Sequence, residues 1–161
     1  MTEIRPAGKG DFDGIWPIMR AVFEEGETYP HSGAISEEAA FDYWIRSPTA
    51  TYVALDGGRV KGTYYVRPNQ PHRGAHVCNA GYMVSPEARN RGVGTAMGRH
   101  SLNQARALGF TAMQFNLVVA TNLPSIRIWE KLGFRKAGTL PKAFDHKKLG
   151  LVDAFVMYRE L

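Results

Sequence analysis

The chain has 161 residues, the length of one ordinary domain with a single core, and residues 1–161 are expected to form one folded unit. Its composition of 44% hydrophobic, 22% charged and 11% aromatic residues excludes disordered and fibrous classes. The net charge of +5 comes from scattered lysines and arginines with no run of five or six like charges, so a compact polyanion fits it better than a nucleic-acid track or a membrane surface.

In chain order, "TEIRPA" alternates like a short edge strand. From Asp11 to Glu25, Ile15, Ile18, Met19, Val22 and Phe23 recur at helical spacing, and Pro17 is expected to kink that helix or mark its true first turn. A loop, "GETYPHSG", carries Tyr29 and His31. Ser36 then has the chemistry of an N-cap, and Glu37 and Glu38 suit the positive end of the helix that holds Phe41, Trp44 and Ile45. "TYVAL", "DGG" and "RVKGTYYVR" read as a hairpin, because Asp-Gly and Gly-Gly supply the positive φ of tight turns. "AHVCNAGYMV" is a third strand. A helical pattern runs from Gly92 to Leu108 with Gly109 placed to end it, and "AMQFNLVV" alternates as a two-faced strand. A short helix, "LPSIRIWEKL", closes at Gly133, and "FRKAGTL" and "VDAFVMYREL" complete a mixed α/β order with parallel pairing wherever a helix joins two strands.

The segment "VSPEARNRGVGTAMG" joins the third strand to the long helix. The first N–H groups of a helix lack intrahelical partners and carry positive potential, so a glycine turn there is a ready anion site, and Arg89 and Arg91 add charge. A dinucleotide fingerprint would need glycine where Met97 stands, and "GGRVKGT" omits the lysine of a Walker loop. Arg-x-x-Gly-x-Gly is satisfied by Arg89, Gly92 and Gly94. With "ATNLPSIRIWEKLGF" downstream, where Asn122, Trp129, Lys131, Gly133 and Phe134 occupy the places of a second signature, the chain resembles the GNAT superfamily of acetyl-CoA-dependent N-acetyltransferases.

That resemblance implies a central mixed sheet of about six or seven strands flanked by about four helices, with two central parallel strands splayed apart. It implies that acetyl-CoA, as co-substrate and with no metal, pairs with the main chain near Met83 and Val84. Its pyrophosphate would rest on the loop and helix mouth at Arg89, Asn90, Arg91, Gly92, Val93, Gly94 and Thr95, and Asn122, Ser125 and Trp129 would complete the cofactor site. Trp129 stands where many relatives carry a tyrosine that protonates the leaving thiolate. A thiol of pKa near 8.5 leaves tolerably as the anion, so the indole is expected to pack against the pantetheine or acetyl group instead.

The main chain of Val84 or Leu117 is the expected oxyanion donor. Asn79 and Asn116 are expected to converge on one small substrate; together with Asn122 they resemble the GNAT branch that acetylates proline analogues. Tyr29 and His31, with Asn79, are expected to wall the acceptor site, and His31, His76, Glu24 and Glu25 are the candidate general bases. The expected partner is a small-molecule amine, not nucleic acid or membrane, and since homodimers are common among GNAT relatives a second copy of the chain is a candidate partner by analogy. The alternative reading is a catalytically weak acyl-CoA sensor on the same fold. No apolar run is long enough to span a bilayer, and "MTEIRPAGKGDFDG" lacks a signal peptide's apolar centre, so a cytoplasmic location is expected. The single cysteine, Cys78, is expected to be a packing residue.

Overall fold

The computed structural model describes residues 2–161. Among them, strands β1 (Glu3–Pro6), β2 (Ala50–Asp56), β3 (Arg59–Pro68), β4 (Val77–Val84), β5 (Ala112–Val119), β6 (Arg135–His146) and β7 (Gly150–Glu160) form one sheet in the order β1-β2-β3-β4-β5-β7-β6. Four α-helices complete the fold: α1 (Phe12–Glu25), α2 (Glu37–Phe41), α3 (Val93–Ala107) and α4 (Leu123–Lys131). Every neighbouring pair of strands is antiparallel except β4 and β5, which α3 joins in parallel.

Sheet faces define two cores. The core between the sheet and α1/α2 contains Ile15, Met19, Phe23, Trp44, Val53 and Met83; the one between the sheet and α3/α4 contains Met97, Leu102, Met113, Phe115, Trp129 and Phe134. Local chemistry supports these elements. Ser36 Oγ accepts from Ala39 N–H at 3.1 Å, the expected N-cap. Gly57 and Gly58 at φ 56° and 75° close the β2–β3 hairpin as a type I′ turn.

Two expectations are corrected. Helix α1 begins at Phe12 and continues through Pro17, so Pro17 does not mark its first turn; Ile15, Ile18 and Met19 on either side are anchored in the core and outweigh one missing N–H. The last two strands are longer than the sequence pattern shows. Pro141 and the positive φ of Lys142 (52°) interrupt the alternation, yet the register resumes at Phe144↔Val152 after an irregularity, so β6 and β7 form one long hairpin.

Candidate active site

The parallel pair is the organising feature. Strand β4 is zipped to β3 from Cys78 to Val84, whereas β4 and β5 pair only at Val77↔Ala112 and Cys78↔Met113. Beyond that point the strands diverge, as expected. On the α3/α4 side the wedge between them is filled by Tyr82, Phe115 and Trp129, whose rings lie 4.6 Å apart for Tyr82–Trp129 and for Phe115–Trp129. Strand β5 also carries one extra residue against β7, the register passing from Phe115↔Met157 to Val118↔Phe155. Asn116 and Leu117 occupy that bulge. Strict alternation therefore fails there: Phe115 and Val118 share the α3/α4 core, and Leu117 does not.

Which main-chain groups face the gap follows from strand phase. Ser85 N–H donates to Lys61 O at 2.8 Å, so the odd-numbered residues of β4 turn their main chain toward β3 and the even-numbered ones toward the gap. Tyr82 demonstrates it: its N–H donates to the Tyr29 hydroxyl at 2.7 Å and its carbonyl accepts from that hydroxyl at 2.9 Å. Val84 shares this phase. Met83 does not; its main chain pairs with Thr63 and its side chain is buried under α1, so the main chain open to the gap beside Val84 is that of Tyr82 rather than Met83. Burial pushes the Tyr29 phenol well above its ordinary pKa and keeps it protonated.

The anion site forms at the mouth of α3. Gly92 is its N-cap at φ 81°, with nothing within 4 Å of the side chain it lacks, and Asn90 also takes a positive φ of 61°. Ala96 is the first residue to bond back, to Gly92 O at 2.9 Å, which leaves the N–H groups of Gly92, Val93, Gly94 and Thr95 without helical partners. Gly94 serves packing as well: a Cβ there would stand 3.3 Å from Ile128 Cδ1, so its absence lets α3 lie close to α4. Arg91 is exposed beside this mouth. The Arg89 guanidinium is ion-paired to Glu25 of α1 at 2.8 Å and ties the loop to that helix.

On the opposite face a chain of amides crosses the point where the strands part. Asn79 Nδ2 donates to Gln114 O at 3.0 Å, Gln114 Nε2 to Asn116 Oδ1 at 2.9 Å, and Asn116 Nδ2 to Asn69 Oδ1 at 2.7 Å. Asn79 and Asn116 thus share a face but are linked through Gln114 rather than facing each other. Beside them stands a cluster that the sequence reading missed. Arg67, opposite Asn79 in register, donates to the Tyr65 hydroxyl at 3.0 Å and lies over the Tyr43 and Tyr65 rings at 5.2 and 4.6 Å. The His31 ring lies 4.4 Å from that of Tyr43 and 5.1 Å from that of Phe23, and its Nδ1 is buried with no hydrogen-bond partner. Burial, then the charge of Arg67, lowers the His31 pKa below its ordinary value.

The remaining expected residues are placed less directly. Asn122 is the N-cap of α4, its Oδ1 accepting from Ser125 N–H at 3.4 Å, which leaves only its amide nitrogen free. Trp129 is 7% exposed and packed in the core behind Tyr82 and Phe115, where its ring fills the wedge between the parting strands. Among the other candidate bases, His76 and Glu24 are exposed.

A half-zipped parallel pair headed by a glycine-capped helix defines an acyl-CoA transferase architecture. The chain belongs to the acetyltransferase (GNAT) family, whose sequence profile matches residues 15–134. It is 34% identical over 150 residues to N-acetyltransferase aca1 of Schizosaccharomyces pombe, covering 83% of this chain and 72% of that protein. Among solved structures, a GCN5-related N-acetyltransferase from Kribbella flavida superposes with a TM-score of 0.95 at 40% identity, covering 99% of this chain and 98% of the other. A GNAT superfamily phosphinothricin acetyltransferase from Sinorhizobium meliloti, solved with acetyl-CoA, gives 0.88 at 25% identity and covers 99% and 88%.

Proposed function

We propose that this N-acetyltransferase moves the acetyl group of acetyl-CoA directly to the amine of a small molecule within a ternary complex. The observation that carries this reading is the unzipped edge of β4, where the Tyr82 N–H already holds an oxygen, that of Tyr29, at 2.7 Å. A fixed N–H aimed at an oxygen in a buried gap is what a developing oxyanion requires. The residues suited to hold acetyl-CoA are the main chain of Val84 and Tyr82, the free N–H groups of Gly92 to Thr95, and the side chain of Arg91. When bound, acetyl-CoA supplies an activated thioester. The Tyr82 N–H would then exchange the Tyr29 hydroxyl for the thioester oxygen.

His31, held neutral by its burial and by Arg67, accepts the proton from the attacking amine, directly or through one water, at Nε2, since its Nδ1 is buried. The C–S bond breaks as the new C–N bond persists, and the coenzyme thiolate departs without needing an acid. The amides of Asn79, Gln114 and Asn116 favour a small polar acceptor, an amino acid or proline analogue, over a long peptide. A panel of proline analogues, free amino acids, polyamines and peptide N-termini, incubated with acetyl-CoA and read by mass spectrometry for acetylated product, tests the reading. Acetylation is expected for small amino or imino acids. Tight acetyl-CoA binding with no product from any acceptor would turn the chain into an acyl-CoA sensor.

A further inference from the structure

Arg67 is a half-buried cation with no carboxylate partner among the described residues. Its guanidinium offers five N–H donors, and one hydrogen bond, to the Tyr65 hydroxyl, is made within the protein. Among the described residues no acidic group forms an ion pair with it; the arginines that do have such partners are Arg5, Arg20, Arg46 and Arg89. The side chain is not loose. The Tyr43 and Tyr65 rings flank it, Tyr65 is itself 3% exposed, and a Cβ at Gly81 would stand 2.6 Å from the Tyr65 ring, so glycine at that position is what admits the ring. A positioned guanidinium with free donors is a fork for a planar anion.

Its location fixes which anion. Arg67 pairs with Asn79, and the Tyr65 hydroxyl that it touches reaches toward Asn79 Oδ1 at 3.4 Å, at the point where β4 and β5 part. From Asn79 to the Tyr82 N–H is three residues of strand, about 10 Å. The hydrogen bond from the guanidinium at one end, and the acetyl carbonyl held by the Tyr82 N–H at the other, take up most of that distance, so the acceptor between them must be short, and an α-amino acid, whose nitrogen is two bonds from its carboxylate carbon, meets that demand.

We infer that Arg67, clasped by Tyr43 and Tyr65, receives the carboxylate of the acceptor, so the substrate class is a small amino or imino acid with a free carboxylate. The inference deepens the acetyltransferase reading and rests on it for the direction of the amine. It concerns binding as well as turnover, and the two are separable.

Calorimetric titration of the protein saturated with CoA, using L-proline against L-prolinamide and L-alanine against L-alaninamide, tests it. The acids are expected to bind on the order of 10- to 100-fold more tightly than their amides. Arg67→Gln should bring both to the weaker level while leaving acetyl-CoA affinity within about twofold; Arg67→Lys, which keeps the charge and loses the fork, should fall between. A purely structural role for Arg67 would lower the unfolding temperature and leave the preference for the acid intact, and that result overturns the inference. So do equal affinities for acid and amide in the wild type, which need no variant. Acetylation of neutral amines with no preference for acids would leave the transferase standing and remove the carboxylate receptor. Arg67-dependent binding of acids without acetyl transfer would do the reverse.

Discussion

His31 carries the proposed base role on the acceptor side, and its surroundings make that role testable. Its Nδ1 is buried and unpartnered, and burial together with Arg67 holds its pKa below 6.5. A lowered pKa leaves the proton-accepting form dominant at neutral pH, so rate is expected to fall only as pH drops through a value below about 6.5. His31→Gln should reduce kcat by about 100-fold at neutral pH and flatten that acid limb. An unchanged acid limb in the variant would assign the titration to another group. Sequence reading reached His31 through its loop, "GETYPHSG", but not Arg67. A lone arginine in "YYVRP" looks like any strand arginine until two rings from separate elements are seen around it. Likewise the motif marks Trp129, while its place in an aromatic wedge depends on Tyr82 and Phe115, which are distant in sequence.

Among the elements, the gap between β4 and β5 was legible, because the order strand, glycine turn, helix, strand forces a parallel pair and the resemblance implies its splay. Strand phase was not. Strand β4 is covered on both faces, so its apolar residues do not alternate cleanly and cannot show whether Tyr82 or Met83 presents its main chain to the gap. One hydrogen bond, Ser85 to Lys61, settles it. The same edge yields a prediction. Tyr29→Phe keeps the ring against Phe23 and Trp44 but removes the hydroxyl that bridges the Tyr82 N–H and carbonyl. Stability should fall by about 1–2 kcal/mol, since two main-chain groups lose their partner. Acetyl-CoA affinity should hold or rise, because nothing then competes for that N–H. A loss of affinity tracking the loss of stability would show that the hydroxyl is not a stand-in for the thioester oxygen.

At the scale of the whole molecule, titratable groups of two kinds make stability depend on pH in one direction. Burial lowers the pKa of His31 and His100, so the unfolded chain binds protons that the folded chain refuses as pH falls below about 6.5. Asp11 is held down by Arg5, Glu27 by Lys148 and Glu87 by Lys61, so these carboxylates too bind more protons when unfolded, in a lower window below about pH 4. Both contributions are present at neutral pH and are lost on acidification. Denaturation midpoints from pH 8 to 3 should decline in two stages. Added salt should weaken the second stage, whose ion pairs are largely exposed, more than the first. A flat profile between pH 7 and 5 would remove the histidine contribution.

Cys78 lies at the last paired position of β4 before the strands part, wholly buried, with its thiol pushed up to about 12 by desolvation. The buried thiol therefore stays in its unreactive, protonated form at pH 8, and no other cysteine exists in the chain. A chromogenic disulfide reagent added to the native enzyme therefore reports liberated coenzyme against a silent protein background. Denaturing the same sample should release one further equivalent of colour per chain.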